Sequence, residues 1–246
     1  MLSISVVSHR QAALAHDLLG DIQTHCCSSP VQVILTVNVE EPLPFSERDF
    51  GFNVIIIRNL RPKGFGTNHN AAFRHAVGEF FCVLNPDIRL VDNPFPSLLS
   101  LVSGERVGAV SPQVLSPEGN IEDHAREFPH ISDILKKALP GARDRHRNPS
   151  NSVPFPDWIA GMFMLFKAET FRKIGGFDER YFLYYEDVDM CARLRAAGLD
   201  IRVDPMTRVI HHARRESHRN PGYLAWHLQS MLRFFFTRPR KLPPLP

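Results

Sequence analysis

Three separated groups of side chains in this 246-residue chain have the makings of chemistry: Asn85-Pro86-Asp87, Glu186-Asp187-Val188-Asp189 and His211-His212. Carboxylates and imidazoles move protons and bind metals, but each group also has a plain structural reading. An aspartate after a strand commonly forms a turn, and acids in the first turn of a helix are favoured by its dipole. The second explanation does not cover its three acids equally. At helix spacing Asp189 meets Arg193, an ordinary ion pair, whereas Asp187 meets Cys191 and Glu186 meets Met190. Asp187 is thereby left without a local partner. Its like-charged neighbours Glu186 and Asp189 should raise its proton affinity, which suits a general base, and Asp187 is the preferred base.

The elements that must position these groups read as an α/β sheet with helices on its faces. Short β-rich runs occur at Ile4–Ser8, Val31–Val37, Asn53–Arg58, Phe80–Leu84, Val107–Val114 and Met162–Phe166. Two further short strands are expected at Ile201–Val203 and Arg208–Ile210, the second leading into His211. Asn85-Pro86-Asp87 ends the fourth run, where Pro86 has no N–H for a ladder and turns the chain out of the sheet. Ala12–Ile22 has the apolar stripe of a helix, and Glu186–Ala197 forms another, closed by Gly198. The ends of such strands are where α/β sheets place ligands.

From about Ser116 to Pro156 the chain is rich in Pro, Gly, Ser, Asn and charge, with one short apolar cluster at Ile131–Leu139 and a basic run at Arg143–Arg147. This is a loop-rich insert, its basic run either a solvated surface or an acceptor-binding lid. No apolar run reaches the length of about 20 residues needed to span a membrane, so a cytoplasmic protein is expected. Cys26, Cys27, Cys82 and Cys191 lack zinc-site spacing and read as reduced and mostly buried. The net charge of +3 is concentrated at the end of the chain. After Pro205 stand Arg208, Arg214, Arg215, Arg219, Arg233, Arg238, Arg240 and Lys241 against the single acid Glu216. Within that stretch Tyr223–Phe236 has helical periodicity, either packing on the domain or, with Trp226 and three consecutive phenylalanines, resting peripherally on a membrane. The tail has no aromatic platform or motif for nucleic acid, which argues against that partner.

The order and wording of the motifs resemble a known family. They are Val6-Val7-Ser8-His9, Gly64-Phe65-Gly66-Thr67-Asn68-His69-Asn70-Ala71-Ala72, Leu84-Asn85-Pro86-Asp87, Trp158-Ile159-Ala160-Gly161 and the long run from Gly175 to Arg193 containing Gly-Gly-Phe-Asp-Glu and Tyr-Tyr-Glu-Asp-Val-Asp. The chain is similar to inverting nucleotide-sugar glycosyltransferases of family 2, and most to the bacterial rhamnosyltransferase type. The resemblance covers Ile4 to His212. It implies the GT-A fold, with a mixed central sheet flanked by helices. The domain would run over 1–212: a nucleotide-sugar half to about 115, the insert 116–156 and an acceptor and catalytic half 157–212, followed by a basic helix and tail over 213–246.

The resemblance also implies roles. Ser8 and Asn38 would lie against the nucleotide, and Lys63, Gly64, Phe65, Asn68 and Asn70 would line it, with Thr67 or Asn68 capping the helix behind. Asp87 takes the metal-binding place of the family's Asp-x-Asp motif, where Asn85 replaces the first aspartate and removes one negative charge; both face the donor. His211, with His212 as the near alternative, matches a late metal ligand for Mg²⁺ or Mn²⁺. Asp187 would deprotonate the acceptor hydroxyl, with Glu186 beside it in the catalytic group; Glu186 and Asp157 would bind acceptor or donor hydroxyls, and Trp158, either a sugar-stacking face or a core residue, would stand with Gly161 on the acceptor side. The expected partners are a nucleotide-sugar donor, such as dTDP-L-rhamnose, and a glycan or polyprenyl-diphosphate-linked acceptor. The residues leave two alternatives: an inert nucleotide-sugar or glycan-binding protein on this fold, and a sugar nucleotidyltransferase.

Overall fold

The computed structural model describes residues 1–26, 30–129, 155–212 and 221–237. Cys27, the Ile131–Leu139 cluster and the Arg143–Arg147 run lie outside the described residues. Ten strands and six α-helices are described, besides one 3-10 turn at Glu47–Asp49, in the order β1 (Leu2–His9), α1 (Ala12–His25), β2 (Val31–Val39), β3 (Asn53–Arg58), α2 (Phe65–Phe73), β4 (Phe80–Leu84), β5 (Ile88–Arg89), α3 (Phe95–Val102), β6 (Val107–Leu115), β7 (Ala125–Arg126), β8 (Trp158–Ile159), β9 (Phe163–Lys167), α4 (Ala168–Lys173), α5 (Glu186–Ala196), β10 (Asp200–His211) and α6 (Pro221–Thr237).

Eight strands form one sheet in the order β3-β2-β1-β4-β9-β6-β10-β5, and β7 pairs with β8 in a second. Strands β3, β2, β1 and β4 are mutually parallel, whereas β9 lies antiparallel between β4 and β6. The mixed sheet is the one expected. Strand order reverses at β1, so a crevice opens beyond the carboxyl ends of β1 and β4, the usual ligand site of such sheets.

Period-two alternation divides the core. Cys82 and Leu84 of β4, with Phe163 and Leu165 of β9, join α1 and α3 on one face. Phe81, Val83, Met164 and Phe166 point the other way, toward α4, α5 and Phe234 of α6. Because both faces are covered, the central strands are apolar almost throughout.

The helix predicted over 12–22 runs three residues further, and that over 186–197 ends one residue earlier, with Gly198 at φ +78° closing it. The two strands expected at 201–203 and 208–210 are one strand, β10, interrupted where its register against β6 skips from Asp204 to Arg208. Pro205 cannot donate to the ladder, and the Asp204 carboxylate gathers the displaced loop by accepting from the Met206 N–H and the Thr207 hydroxyl. Helix α2 starts at Phe65 with Gly64 as its N-cap, so Thr67 and Asn68 lie inside it rather than capping it. Cys26, Cys82 and Cys191 are buried, as expected.

Candidate active site

Helix α5 begins directly after two tyrosines, Tyr184 and Tyr185, whose φ angles of +70° and +66° place them in the left-handed region. Neither is a residue that adopts this conformation readily, and such strain persists only where the surroundings hold it. The turn delivers Asp187, half-buried, to the side of Gly161. The Gly161 N–H donates to Asp187 Oδ2 at 3.0 Å, and the Val188 N–H, one of the free donors of the helix start, donates to Oδ1 at 2.8 Å. Asp187 therefore lacks a side-chain partner at helix spacing, as expected, but two backbone groups orient it. A Cβ at position 161 would lie 2.9 Å from Phe65 Cζ but in ordinary contact, 3.7 Å, with Asp187 Cβ, so glycine here makes room for the Phe65 ring rather than for the carboxylate.

Burial holds the Asp187 carboxyl above the usual carboxylate range, against the lowering effect of those N–H donors and of Arg126. The direction matches the sequence reading, but its cause is desolvation rather than like charge from both neighbours. Asp189 is neutralised by Arg193 at 2.7 Å, the ion pair that spacing predicted. Glu186, expected to meet substrate, is only 5% exposed, and its Oε2 is buried with no hydrogen-bond partner. Burial first, and then the Asp187 charge, push its carboxyl well above the ordinary value. Asp187 is the accessible acid of the pair, and Glu186 lies beneath it.

The expected acceptor residues are held by backbone contacts. The Asp157 carboxylate accepts from the Phe128 N–H at 2.9 Å through Oδ2 and so braces the β7–β8 pair. Trp158 donates its indole N–H to the Glu127 carbonyl at 3.1 Å and lies under the Arg126 guanidinium, 5.5 Å from the ring centre. Arg126 sits in the loop-rich stretch and carries no motif that would have singled it out.

On the donor side the expected residues form a bonded turn. Asn38 Oδ1 accepts from the Lys63 N–H at 2.8 Å, and its Nδ2 donates to the Lys63 carbonyl at 3.0 Å. Asn59, which the sequence reading passed over, donates from Nδ2 to the side-chain oxygens of both Asn38 and Asn68. Asn68 in turn donates to the Lys63 carbonyl. These amides fix the backbone from which the exposed Lys63 side chain projects. Ser8 is fully buried, its hydroxyl donating to Glu41 at 2.5 Å, so its side chain is turned inward. Asn70 is likewise engaged within the protein: its amide exchanges hydrogen bonds with the Phe177 N–H and carbonyl at 2.9 Å each and pins the loop before α5. The Phe65 N–H donates to the Phe182 carbonyl at 2.9 Å, with Gly64 packed closely on the same backbone, so the two halves meet here.

The third group assembles through strand pairing. The turn Asn85-Pro86-Asp87 leads into β5, which pairs antiparallel with the end of β10, His211 opposite Ile88. The His212 N–H donates to the Asp87 carbonyl at 2.9 Å while its side chain is exposed. His211 is the buried one of the two, its Nε2 3.4 Å from Asp87 Oδ1. Its other nitrogen, Nδ1, is 2.6 Å from Glu122 Oε2. Burial alone would lower the His211 pKa, but the two carboxylates outweigh it and hold it at about 8. Among the described residues no three such groups converge as a complete metal cage. Asp87 Oδ1 is nevertheless a buried oxygen with no hydrogen-bond partner, facing an imidazole nitrogen, and that pairing suits a divalent cation whose remaining ligands come from phosphate oxygens and water.

Residues 43–171 match the family described as "Glycosyl transferase family 2", and residues 148–218 match "N-terminal domain of galactosyltransferase". A rhamnosyltransferase of Escherichia coli, WbbL, is 31% identical over 187 residues, covering 70% of this chain and 69% of its own. An N-acetylglucosaminyl-diphospho-decaprenol L-rhamnosyltransferase of Mycobacterium tuberculosis is 32% identical over 176 residues, covering 66% of this chain. The match spans 56% of that relative's length. Among solved structures, a mannosyltransferase from Pyrobaculum calidifontis, determined with GDP-Man and Mn²⁺, superposes with a TM-score of 0.67 at 17% identity, over 99% of this chain and 66% of that one.

Proposed function

The chain belongs to glycosyltransferase family 2 and is a glycosyltransferase of the GT-A fold, and from that premise we propose which sugar it moves and how. The donor is dTDP-L-rhamnose, the acceptor a hydroxyl of a lipid-linked glycan in cell-surface polysaccharide synthesis, and the product is inverted at the anomeric carbon. The names of the two relatives support rhamnose as the sugar moved, and that of the mycobacterial one supports the lipid-linked acceptor. An inert binding protein and a nucleotidyltransferase both give way to family membership.

The observation that carries the mechanism is the placement of Asp187: half-buried, aimed by two backbone N–H groups and raised in proton affinity by burial. Its carboxylate takes the proton of the acceptor hydroxyl as that oxygen bonds to the anomeric carbon. The bond from that carbon to the diphosphate oxygen breaks on the opposite face, and the nucleoside diphosphate leaves with the electron pair. The Lys63 turn, held by Asn38, Asn59 and Asn68, lines the nucleotide. Asp87 and His211 would hold Mg²⁺ or Mn²⁺, which supplies charge to neutralise the leaving diphosphate. With Asn85 in place of a second acid, the diphosphate itself must provide much of the binding charge.

Glu122 fixes which imidazole nitrogen faces Asp87: a carboxylate at Nδ1 retains the proton there, so when a bound cation displaces the other proton of the imidazolium, Nε2 is the nitrogen that would present its lone pair. Glu122→Gln is expected to weaken Mn²⁺ binding about 10–100-fold, read by calorimetric titration of the protein with the metal. Unchanged affinity would take Glu122 out of this role.

Because burial raises the Asp187 carboxyl, the acid limb of the kcat–pH profile is expected above the ordinary carboxylate range. Activity is lost as pH falls through that raised value, since the base must be ionised to accept a proton. A limb at the ordinary aspartate value, in turnover measured across the acid range, would remove the buried base from the scheme.

The reaction itself is tested by offering dTDP-rhamnose and a panel of UDP- and GDP-sugars with Mn²⁺ and a polyprenyl-diphosphate glycan. Nucleoside diphosphate release identifies the donor, and NMR coupling at the new linkage reports the anomeric configuration. A preference for a UDP-sugar overturns the donor; a retained configuration overturns the single displacement.

A further inference from the structure

The outer face of α6 has no part in the reaction as drawn. Leu224, Leu228, Leu232 and Phe236 recur every fourth residue, so they form one stripe along the helix. They are 62%, 47%, 53% and 86% exposed. Single exposed apolar side chains are ordinary, but a contiguous stripe of them marks a contact surface.

The opposite face of the same helix sits on the loop that delivers the base. The Ser230 hydroxyl donates to the Leu183 carbonyl at 2.9 Å. Trp226 packs on Phe182 with ring centres 4.7 Å apart, and His227 lies 5.4 Å from both Tyr184 and Tyr185. Phe234, fully buried, packs against Tyr185 and Phe128. Helix α6 therefore packs on both left-handed tyrosines immediately before Glu186 and Asp187.

The sequence on either side of α6 is cationic. Arg214, Arg215 and Arg219 precede it, Arg238, Arg240 and Lys241 follow it, and Glu216 is the one acid in that stretch. An apolar stripe flanked by arginine and lysine at both ends is complementary to a surface that is apolar beneath and anionic above, which is the headgroup boundary of an anionic bilayer. We infer that α6 is a strap with two faces: its outer stripe seats on an anionic lipid surface, and its inner face ties that surface to the loop carrying the base. This membrane address rests on the lipid-linked acceptor proposed above for its purpose, and it sets the acceptor side at a fixed height over the lipid.

The test uses flotation of the full chain with vesicles of phosphatidylcholine alone and of an equal mixture with phosphatidylglycerol. The protein is expected to float with the anionic vesicles, to be released by salt, and to float poorly with phosphatidylcholine alone. Leu228→Ser with Leu232→Ser is expected to reduce partitioning about tenfold or more, with thermal midpoint and transfer to a water-soluble acceptor unchanged. Failure of the wild type to bind anionic vesicles, or equal binding by the double variant, overturns the inference. So does a dimer in light scattering that the same pair of substitutions splits without any effect on flotation, since the stripe is then covered by a second copy. If transfer fails with every acceptor while flotation still follows the stripe, the proposed reaction falls and the lipid surface stands.

Discussion

Asp187→Asn is expected to lower kcat about 10²–10⁴-fold while leaving Mn²⁺ affinity unchanged. The amide oxygen still accepts from the Gly161 N–H, but the amide nitrogen then faces the Val188 N–H, donor against donor, and no lone pair remains to take a proton. Glu186→Gln is the informative contrast. Glu186 is buried, one of its oxygens is unpaired, and burial together with the Asp187 charge pushes its carboxyl well above the ordinary value, which favours the uncharged form. A neutral isostere should therefore keep most of the turnover. Its effect on stability has a definite sign. A group whose folded-state pKa is raised contributes stability that is complete below its unfolded pKa and is lost as pH rises toward the folded one. Gln carries no such cost, so Glu186→Gln should melt later than wild type near neutrality, by about 3 °C or more, with the gap closing in acid. Thermal melts of both proteins across that range, beside single-turnover rates, separate the two acids. Full activity in Asp187→Asn, or equal losses in both variants, would falsify the assignment of Asp187 as the base.

Asp87→Ala should fail differently. Charge neutralisation at the leaving diphosphate is a matter of several kcal/mol, so loss of the carboxylate is expected to reduce kcat/KM for the donor by about three orders of magnitude at fixed Mn²⁺. His211 would remain, still oriented by Glu122, and excess metal should recover part of the rate. The distinguishing measurement is Mn²⁺ affinity, lost in Asp87→Ala and kept in Asp187→Asn. A variant at position 87 that binds Mn²⁺ as wild type does would place the cation elsewhere.

The long strands β1, β2, β4, β6 and β9 were legible because their apolar runs are buried on both faces, and α1 and α5 because their stripes and ends follow local rules; the two-residue strands β5, β7 and β8 carry no run and were not foreseen. The joining of β10 was not legible, since Pro205 reads locally as an end and only pairing with β6 carries the strand past it. Helix α2 was misread at its start because Thr67 and Asn68 are good caps in isolation, whereas the chain there is set by Gly64 packing on Phe182. The motif run containing Glu186 and Asp187 was visible from its wording. Which of the two acids faces outward is a property of burial and had no local signal. Glu122 and Arg126 were invisible for a related reason. Both lie in a stretch without periodicity, and Glu122 meets His211 across 89 positions of chain. Asn59 was hidden because a lone asparagine after a strand looks like any turn residue until its two amide partners are seen together.

The antiparallel insertion of β9 has a consequence for how the chain is made. Strand β4 finds its second neighbour only in residues 163–167, and β6 touches the first four strands only through that same segment. While the ribosome is still short of Lys167, the nascent sheet ends at β4 in a bare apolar edge formed by Phe81, Cys82, Val83 and Leu84. Such an edge invites pairing with other chains. Folding of the nucleotide half is thereby tied to synthesis of the half that holds the base, and the period between the two is when the growing polypeptide most needs a chaperone.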